Sequence, residues 1–158
     1  MRISFSILSF LVSISVFAQE DRDSTLNRCP LFITDTVTSN NFFIERRPCI
    51  LKVYRLNGDL VVGIDQRDQF LTIFFPDKKI HTGTYKIRSH PKGRSEVSIK
   101  YSFRAGDRVS YVDVGSGTVE VTYDKEKEFW KLRVNGLIAN LVDRNITYYK
   151  VRSDLWIR

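Results

Sequence analysis

The sequence predicts an all-β fold, a single antiparallel β-sandwich or barrel-like domain of about nine or ten short strands. Runs in which apolar and polar residues alternate recur along the chain, and Gly, Pro, Asn and Asp separate them. No segment shows a sustained helical stripe of apolar residues. A chain of 158 residues is long enough for one such domain and short for two.

Residues 1–18 are typical of a secretory signal peptide. Arg2 precedes an apolar run over 3–17, and Ala18 is a small residue ahead of a plausible cleavage site at Gln19. We expect cleavage there, which would leave a secreted or periplasmic protein with no transmembrane segment in the mature chain. An uncleaved anchor is the alternative.

The mature chain is expected to begin with a flexible lead over residues 19–28, followed by a single all-β domain over 29–158. The lead is polar and charged and has no periodicity. Cys29 and Cys49 are the two cysteines of the sequence, and in a secreted chain such a pair predicts a disulfide. Closing that loop would stabilise the fold by about 3 kcal/mol. Two free thiols or half of a metal site are the alternatives.

The first half of the domain contains several predicted strands. Apolar runs at 31–37 and 42–44 suit two short strands, of which the first could form a sheet edge. Asn57-Gly58 is a strong hairpin signal between apolar runs. The remaining strands of this half are predicted from alternation or from continuous apolar runs, at 50–56, 60–65, 70–75, 83–88 and 97–103.

The stretch 109–141 predicts a three-stranded meander. Parity pairs Val121 with Trp130 across a four-residue connection through 124–127, and the same register pairs Val119 with Leu132.

Ser116-Gly117 suits a tight turn that would place Val114 opposite Val119. After the meander, 137–143 is expected to continue the preceding strand, and 145–157 to form a closing strand that packs aromatic residues over one end of the core.

The formal charge is +7, or +6 once residues 1–18 are removed. Outside the cytoplasm a basic protein suits an anionic envelope component or an acidic protein as partner, and a solvated, soluble surface is the simpler alternative. Nucleic acid is not expected as a partner, because aromatic and basic residues take opposite faces of the strands. The outward-facing basic residues predicted as candidates for anion or partner binding are Lys86, Arg88, Lys100, Lys131 and Arg133.

No motif of the sequence announces catalysis. The two histidines, His81 and His90, lie in predicted loops, and no spacing of His, Cys, Asp or Glu indicates a metal site. We therefore predict no catalytic residue, metal or cofactor, and a non-enzymatic domain that binds a ligand or protein partner. The alternatives are a small hydrolase or isomerase using loop carboxylates and one histidine, an inhibitor or immunity-type protein, and a structural module of an envelope complex.

Two motifs carry a resemblance. GTYKI at 83–87 and the later VGSGTVEVTYDKEKEFWKLRVNG at 114–136 resemble small secreted β-domains of bacterial envelopes whose function is unknown. The resemblance covers 56–141. It implies a compact all-β envelope protein without an assigned activity, so no functional residue is transferred from it.

Overall fold

A computed structural model describes residues 31–41, 50–66, 68–77, 79–142 and 145–158. The predicted signal peptide and the flexible lead lie outside these residues. So do the Cys29–Cys49 disulfide and the predicted short strand at 42–44. These four expectations stay predictions.

The described residues form an all-β fold without helix, which confirms the predicted all-β class, and the choice between a sandwich and a barrel stays a prediction. Ten strands make one curled, mostly antiparallel sheet, in the order β1-β10-β9-β8-β5-β6-β4-β3-β2, with β7 paired to β6. The described residues contain no helix that is long and apolar enough to cross a membrane. The strands are β1 Leu31–Asp35, β2 Ile50–Leu56, β3 Asp59–Gln66, β4 Gln69–Phe75, β5 Gly83–Ile87, β6 Glu96–Ala105, β7 Arg108–Asp113, β8 Ser116–Asp124, β9 Phe129–Val142 and β10 Asn145–Ile157.

The sheet consists of two halves that meet at a short seam. The first half contains β1, β10, β9, β8 and β5, and the second contains β6, β4, β3, β2 and β7. At the seam, β5 and β6 run parallel and pair at only two positions, Lys86 with Glu96 and Ile87 with Val97. Further along, from Lys100 onward, β7 takes the place of β5 beside β6.

One hydrophobic core lies between the two halves. The ring of Phe75 in the second half packs edge-on against Tyr85 in the first, with centroids 5.2 Å apart. Because inward positions alternate with outward ones, most strands contribute alternate residues to this core, whereas β2 and β7 contribute only the partly buried Leu51 and Val112. Its fully buried members include Val119, Leu132, Val151 and Leu155 from the first half, and Val62, Leu71, Ile73, Val97 and Ile99 from the second.

Several predicted elements are confirmed. Asn57 and Gly58, with φ values of 53° and 93°, form the two-residue turn between β2 and β3. β9 continues to Val142 and β10 covers the predicted closing strand. β1 stands at one end of the strand order, so it is an edge strand.

The predicted register between β8 and β9 is wrong by two residues. Val121 lies opposite Leu132 instead of Trp130, and Val119 lies opposite Val134. A shift of two positions preserves parity, so the predicted apolar face still points into the core.

The turn after β8 explains the shift. It occupies 125–128 because the Asp124 side chain starts it, with Oδ1 accepting hydrogen bonds from the backbone N–H of Glu126 and Lys127. Glu128 ends the turn with a φ of 53°. The connection has the predicted length of four residues but begins one residue later.

The predicted hairpin at Ser116-Gly117 is also wrong. β7 pairs with β6, whereas β8 pairs with β5 and β9, so these residues lie within a strand. Between β7 and β8 the chain crosses from the second half to the first. The N–H of Val114 donates to the Ile99 carbonyl, and the N–H of Gly115 donates to the Leu137 carbonyl.

Glycine is required here for close strand packing. Gly117 lies opposite Gly136 and has a φ of 128°. A Cβ at Gly117 would clash with the backbone of Asn135, and one at Gly136 would clash with the side chain of Val114. Gly117, which suggested a turn in the sequence, is therefore required because the backbone of β8 lies very close to that of β9.

Candidate functional site

A cavity of about 460 Å³ opens at one end of the curled sheet, between its two halves. β1, β9 and β10 of the first half form one side, and β4, β6, β7 and the turn before β4 form the other. Much of its wall is apolar. The apolar side chains that line it are Ile33, Phe103, Val112 and Ile138.

Polar residues take inward positions at this end of the sheet. On β9, Asn140 follows Ile138 on the same face, and Ile138 is buried in the core. On β4, Gln69 precedes the buried Leu71 in the same way. The core thus changes from apolar to polar where it meets the cavity.

Tyr101 and Gln69 form a hydrogen-bonded pair in the cavity wall. The Tyr101 hydroxyl donates to Oε1 of Gln69 at 2.5 Å. Burial raises the pKa of Tyr101 to about 12, so the phenol stays protonated at neutral pH and remains a donor. Since Oε1 of Gln69 is engaged, the amide N–H groups of Gln69 are the part of this pair left to donate to a ligand.

Two oppositely charged residues lie at the rim. The side chains of Arg104 and Asp68 are both exposed, and the backbone N–H of Arg104 donates to the Asp68 carbonyl at 2.7 Å. This bond ties the end of β6 to the turn that precedes β4. Asn140, half-buried on the opposite side, makes no side-chain hydrogen bond to any residue that the structure describes.

Two of the five predicted basic residues lie together on β9, outside the cavity. The Arg133 guanidinium contacts two carboxylates, with Nε 3.1 Å from Asp154 Oδ1 and NH1 4.0 Å from Glu120 Oε2. The Lys131 ammonium lies over the ring of Trp156, 5.7 Å from its centroid. Both cations therefore already have partners on neighbouring strands.

Lys86 and Arg88 lie near the seam, beside Glu96. Arg88 Nε is 3.9 Å from Glu96 Oε1. Lys86 lines an open groove together with Lys92 and Glu96. The pKa of Glu96 is lowered because its carboxylate accepts backbone hydrogen bonds from Lys92 and Gly93, and the two nearby cations lower it further.

The fifth residue, Lys100, lies on β6 opposite Asp113 of β7. It is separated from Lys131 and Arg133 by β5 and β8 in the strand order. The structure therefore does not gather the five residues into one patch. Their role in binding anions or a partner stays a prediction.

The histidines are placed away from the cavity. His81 Nε2 is 4.0 Å from Asp77 Oδ2, and Arg94 Nε is 3.8 Å from the same carboxylate oxygen. The His81 side chain is mostly exposed, and His90 is exposed in the loop between β5 and β6. Among the described residues, no three His, Cys, Asp or Glu side chains are grouped so that they could hold a metal ion.

Sequence reasoning did not find the residues of the cavity. Gln69, Asn140 and Tyr149 come from three strands that are far apart in the sequence. A signal does exist, because Gln69 and Asn140 take inward positions in strands whose other inward residues are mostly apolar. Identifying it requires the correct strand registers.

Comparisons with known proteins found no match to this chain among protein-family models, curated proteins or solved structures. The resemblance to envelope β-domains accordingly stays a prediction.

Proposed function

We propose that the protein is a non-enzymatic binding domain that holds a small amphipathic molecule in its end cavity. The observation that carries the proposal is the cavity itself, which has apolar walls and a few polar groups directed into it. Sites for small molecules usually have this composition, with volumes of about 300–1,000 Å³.

The polar groups suggest the chemistry of the ligand. The Gln69 amide offers N–H donors, because its oxygen accepts from Tyr101. Arg104 at the rim adds a guanidinium, which carries donors and no acceptor. A compact apolar molecule with a carbonyl or carboxylate group fits these partners. The apolar part would contact Ile138 and Val112.

The test compares two valine substitutions on the same strand. Val112 lines the cavity, whereas Val109 points to the other face of β7 and is exposed. Val112→Trp should fill much of the cavity, and Val109→Trp is the matched control. The measurement is titration with the neutral apolar fluorophore N-phenyl-1-naphthylamine.

We expect the wild type and Val109→Trp to bind the fluorophore, and Val112→Trp to lose at least about tenfold in affinity, which corresponds to about 1.4 kcal/mol. Circular dichroism would establish that all three proteins are folded. Absence of binding by the wild type, or equal binding by all three, would contradict the proposal.

We further propose that the protein acts in a secreted or periplasmic setting, which is supported by the composition of residues 1–18. Mass spectrometry of the protein from its native source tests this. A chain that begins at Gln19 is expected, whereas an intact Met1 in the purified protein would contradict cleavage. An acidic or anionic macromolecular partner has weaker support, because Arg133 and Arg88 already contact carboxylates.

A further inference from the structure

Exposed apolar side chains are concentrated on β2. Four large hydrophobic residues of this seven-residue strand are at least 42% exposed, namely Ile50, Val53, Tyr54 and Leu56. The strand lies at one end of the sheet and pairs with β3 on one side. On its other side, no strand among the described residues pairs with it.

Apart from the charged residues Lys52 and Arg55, β2 has few of the features that usually protect an edge strand. It contains no proline and no glycine, and it pairs with β3 without a bulge over its full length. Such a strand offers a row of backbone N–H and C=O groups to another strand. Its apolar side chains occur on both faces, since Tyr54 and Val53 are neighbours in the sequence.

We propose that β2 pairs antiparallel with β2 of a second copy of this chain, about a twofold axis at Val53. In this register Val53 lies opposite its own counterpart, and Ile50 lies opposite Leu56. Lys52 lies opposite Tyr54, and its ammonium is already paired within its own chain, 3.0 Å from Asp65 Oδ2 of β3.

Charge favours this register and a second copy as the occupant. Arg55 lies opposite Leu51, so the axis at Val53 places no like charges opposite each other and uses all seven residues. Moving the axis by one residue to Lys52 would place two ammonium groups opposite each other, which is destabilising. A strand that is self-complementary in its full-length register is what a symmetric interface requires.

On the outer face of the sheet, Tyr54 lies beside Val61 of β3, which is fully buried, and Val61 lies beside Phe74 of β4. The apolar surface offered to a second copy is therefore that of β2 itself. No cavity-lining residue comes from β2, so we expect dimer formation without a bound ligand.

The first test is sedimentation equilibrium over a wide range of concentrations. The wild type should associate reversibly to a dimer. Val53→Lys places two lysines opposite each other at the axis and should raise the dissociation constant at least roughly tenfold, as like-charged opposing pairs are unfavourable. Val37→Lys makes the same change at a residue that is 86% exposed in the turn after β1, and should leave the dimer unchanged.

A cysteine variant keeps the proposal testable if Val53→Lys fails to fold. Opposed residues in antiparallel strands have Cα atoms about 4.5–5.5 Å apart, which is within the range that a disulfide spans, so Val53→Cys should form a covalent dimer when a diamide oxidant is added. Val37→Cys is the matched control and should not. A wild type that stays monomeric at all concentrations would overturn the proposal, as would a Val53→Lys variant that dimerises normally.

Discussion

Two glycines of the crossing between β7 and β8 allow a sharp test of the structure. Gly117 has a φ of 128° and lies against the backbone of Asn135. Gly115 stands two residues earlier, and a Cβ there would meet nothing closer than the Leu137 carbonyl oxygen at 4.0 Å. Alanine at each position is therefore the same chemical change in two different environments.

The expected effects differ in size and in sign. A non-glycine residue at a φ such as that of Gly117 costs about 1–3 kcal/mol from backbone strain alone. The clash adds to this, because a backbone carbonyl cannot move aside as a side chain can, and we expect a total loss of about 2–4 kcal/mol. Gly115→Ala should stabilise by up to about 1 kcal/mol, because alanine reduces the entropy of the unfolded chain.

Urea unfolding followed by circular dichroism measures both changes. With a slope of about 1–3 kcal/mol per molar urea, a loss of 3 kcal/mol moves the midpoint by about 1–3 M. Equal midpoints for Gly117→Ala and Gly115→Ala would contradict the close approach of Gly117 to the Asn135 backbone.

Two further predictions concern buried polar groups and pH. The Ser153 hydroxyl is buried and has no hydrogen-bond partner among the described residues. Ser153→Ala should therefore leave the free energy of unfolding unchanged or raise it by up to about 1–2 kcal/mol, and a clear decrease of the urea midpoint would contradict this. The pKa of Asp35 lies below its ordinary value of 3.8 because the carboxylate accepts hydrogen bonds from the backbone N–H groups of Thr38 and Val37. The pKa of Glu96 lies below its ordinary value of 4.5, chiefly because the carboxylate accepts a hydrogen bond from the backbone N–H of Lys92. The resulting stabilisation of the folded state is present above these ordinary values and is lost as the pH falls through the lower folded-state pKa values. A double variant with Asp35→Asn and Glu96→Gln should therefore show a weaker loss of stability at acid pH than the wild type. An unchanged loss of stability at acid pH would contradict this prediction.

Local sequence signals were sufficient for most strands and for one turn. Asn57-Gly58 specifies its hairpin because few residue pairs adopt two positive φ values easily. Parity assigned Val119 and Val121 to the core even though their partners were wrong by two residues.

The remaining topology depends on contacts that no local pattern encodes. Gly117 looked like a turn residue, and its partner Gly136 lies 19 positions away in the sequence, where nothing announces the crossing. The cavity is a stronger case, since Ile33, Tyr101 and Ile138 meet only after the sheet has curled. The five candidate basic residues were chosen by parity, which identifies a face of a strand and leaves the distances between strands undetermined.

The seam has a consequence for motion. Lys86–Glu96 and Ile87–Val97 are the two residue pairs that join β5 to β6, whereas every other strand interface between neighbours in the sheet has at least four. We therefore expect the seam to open more readily than the other strand interfaces, with each half keeping its own strand pairing. A molecule in the end cavity would contact both halves and oppose their separation. It should therefore slow amide hydrogen exchange at Arg88, whose N–H donates to the Val97 carbonyl across the seam and which does not line the cavity.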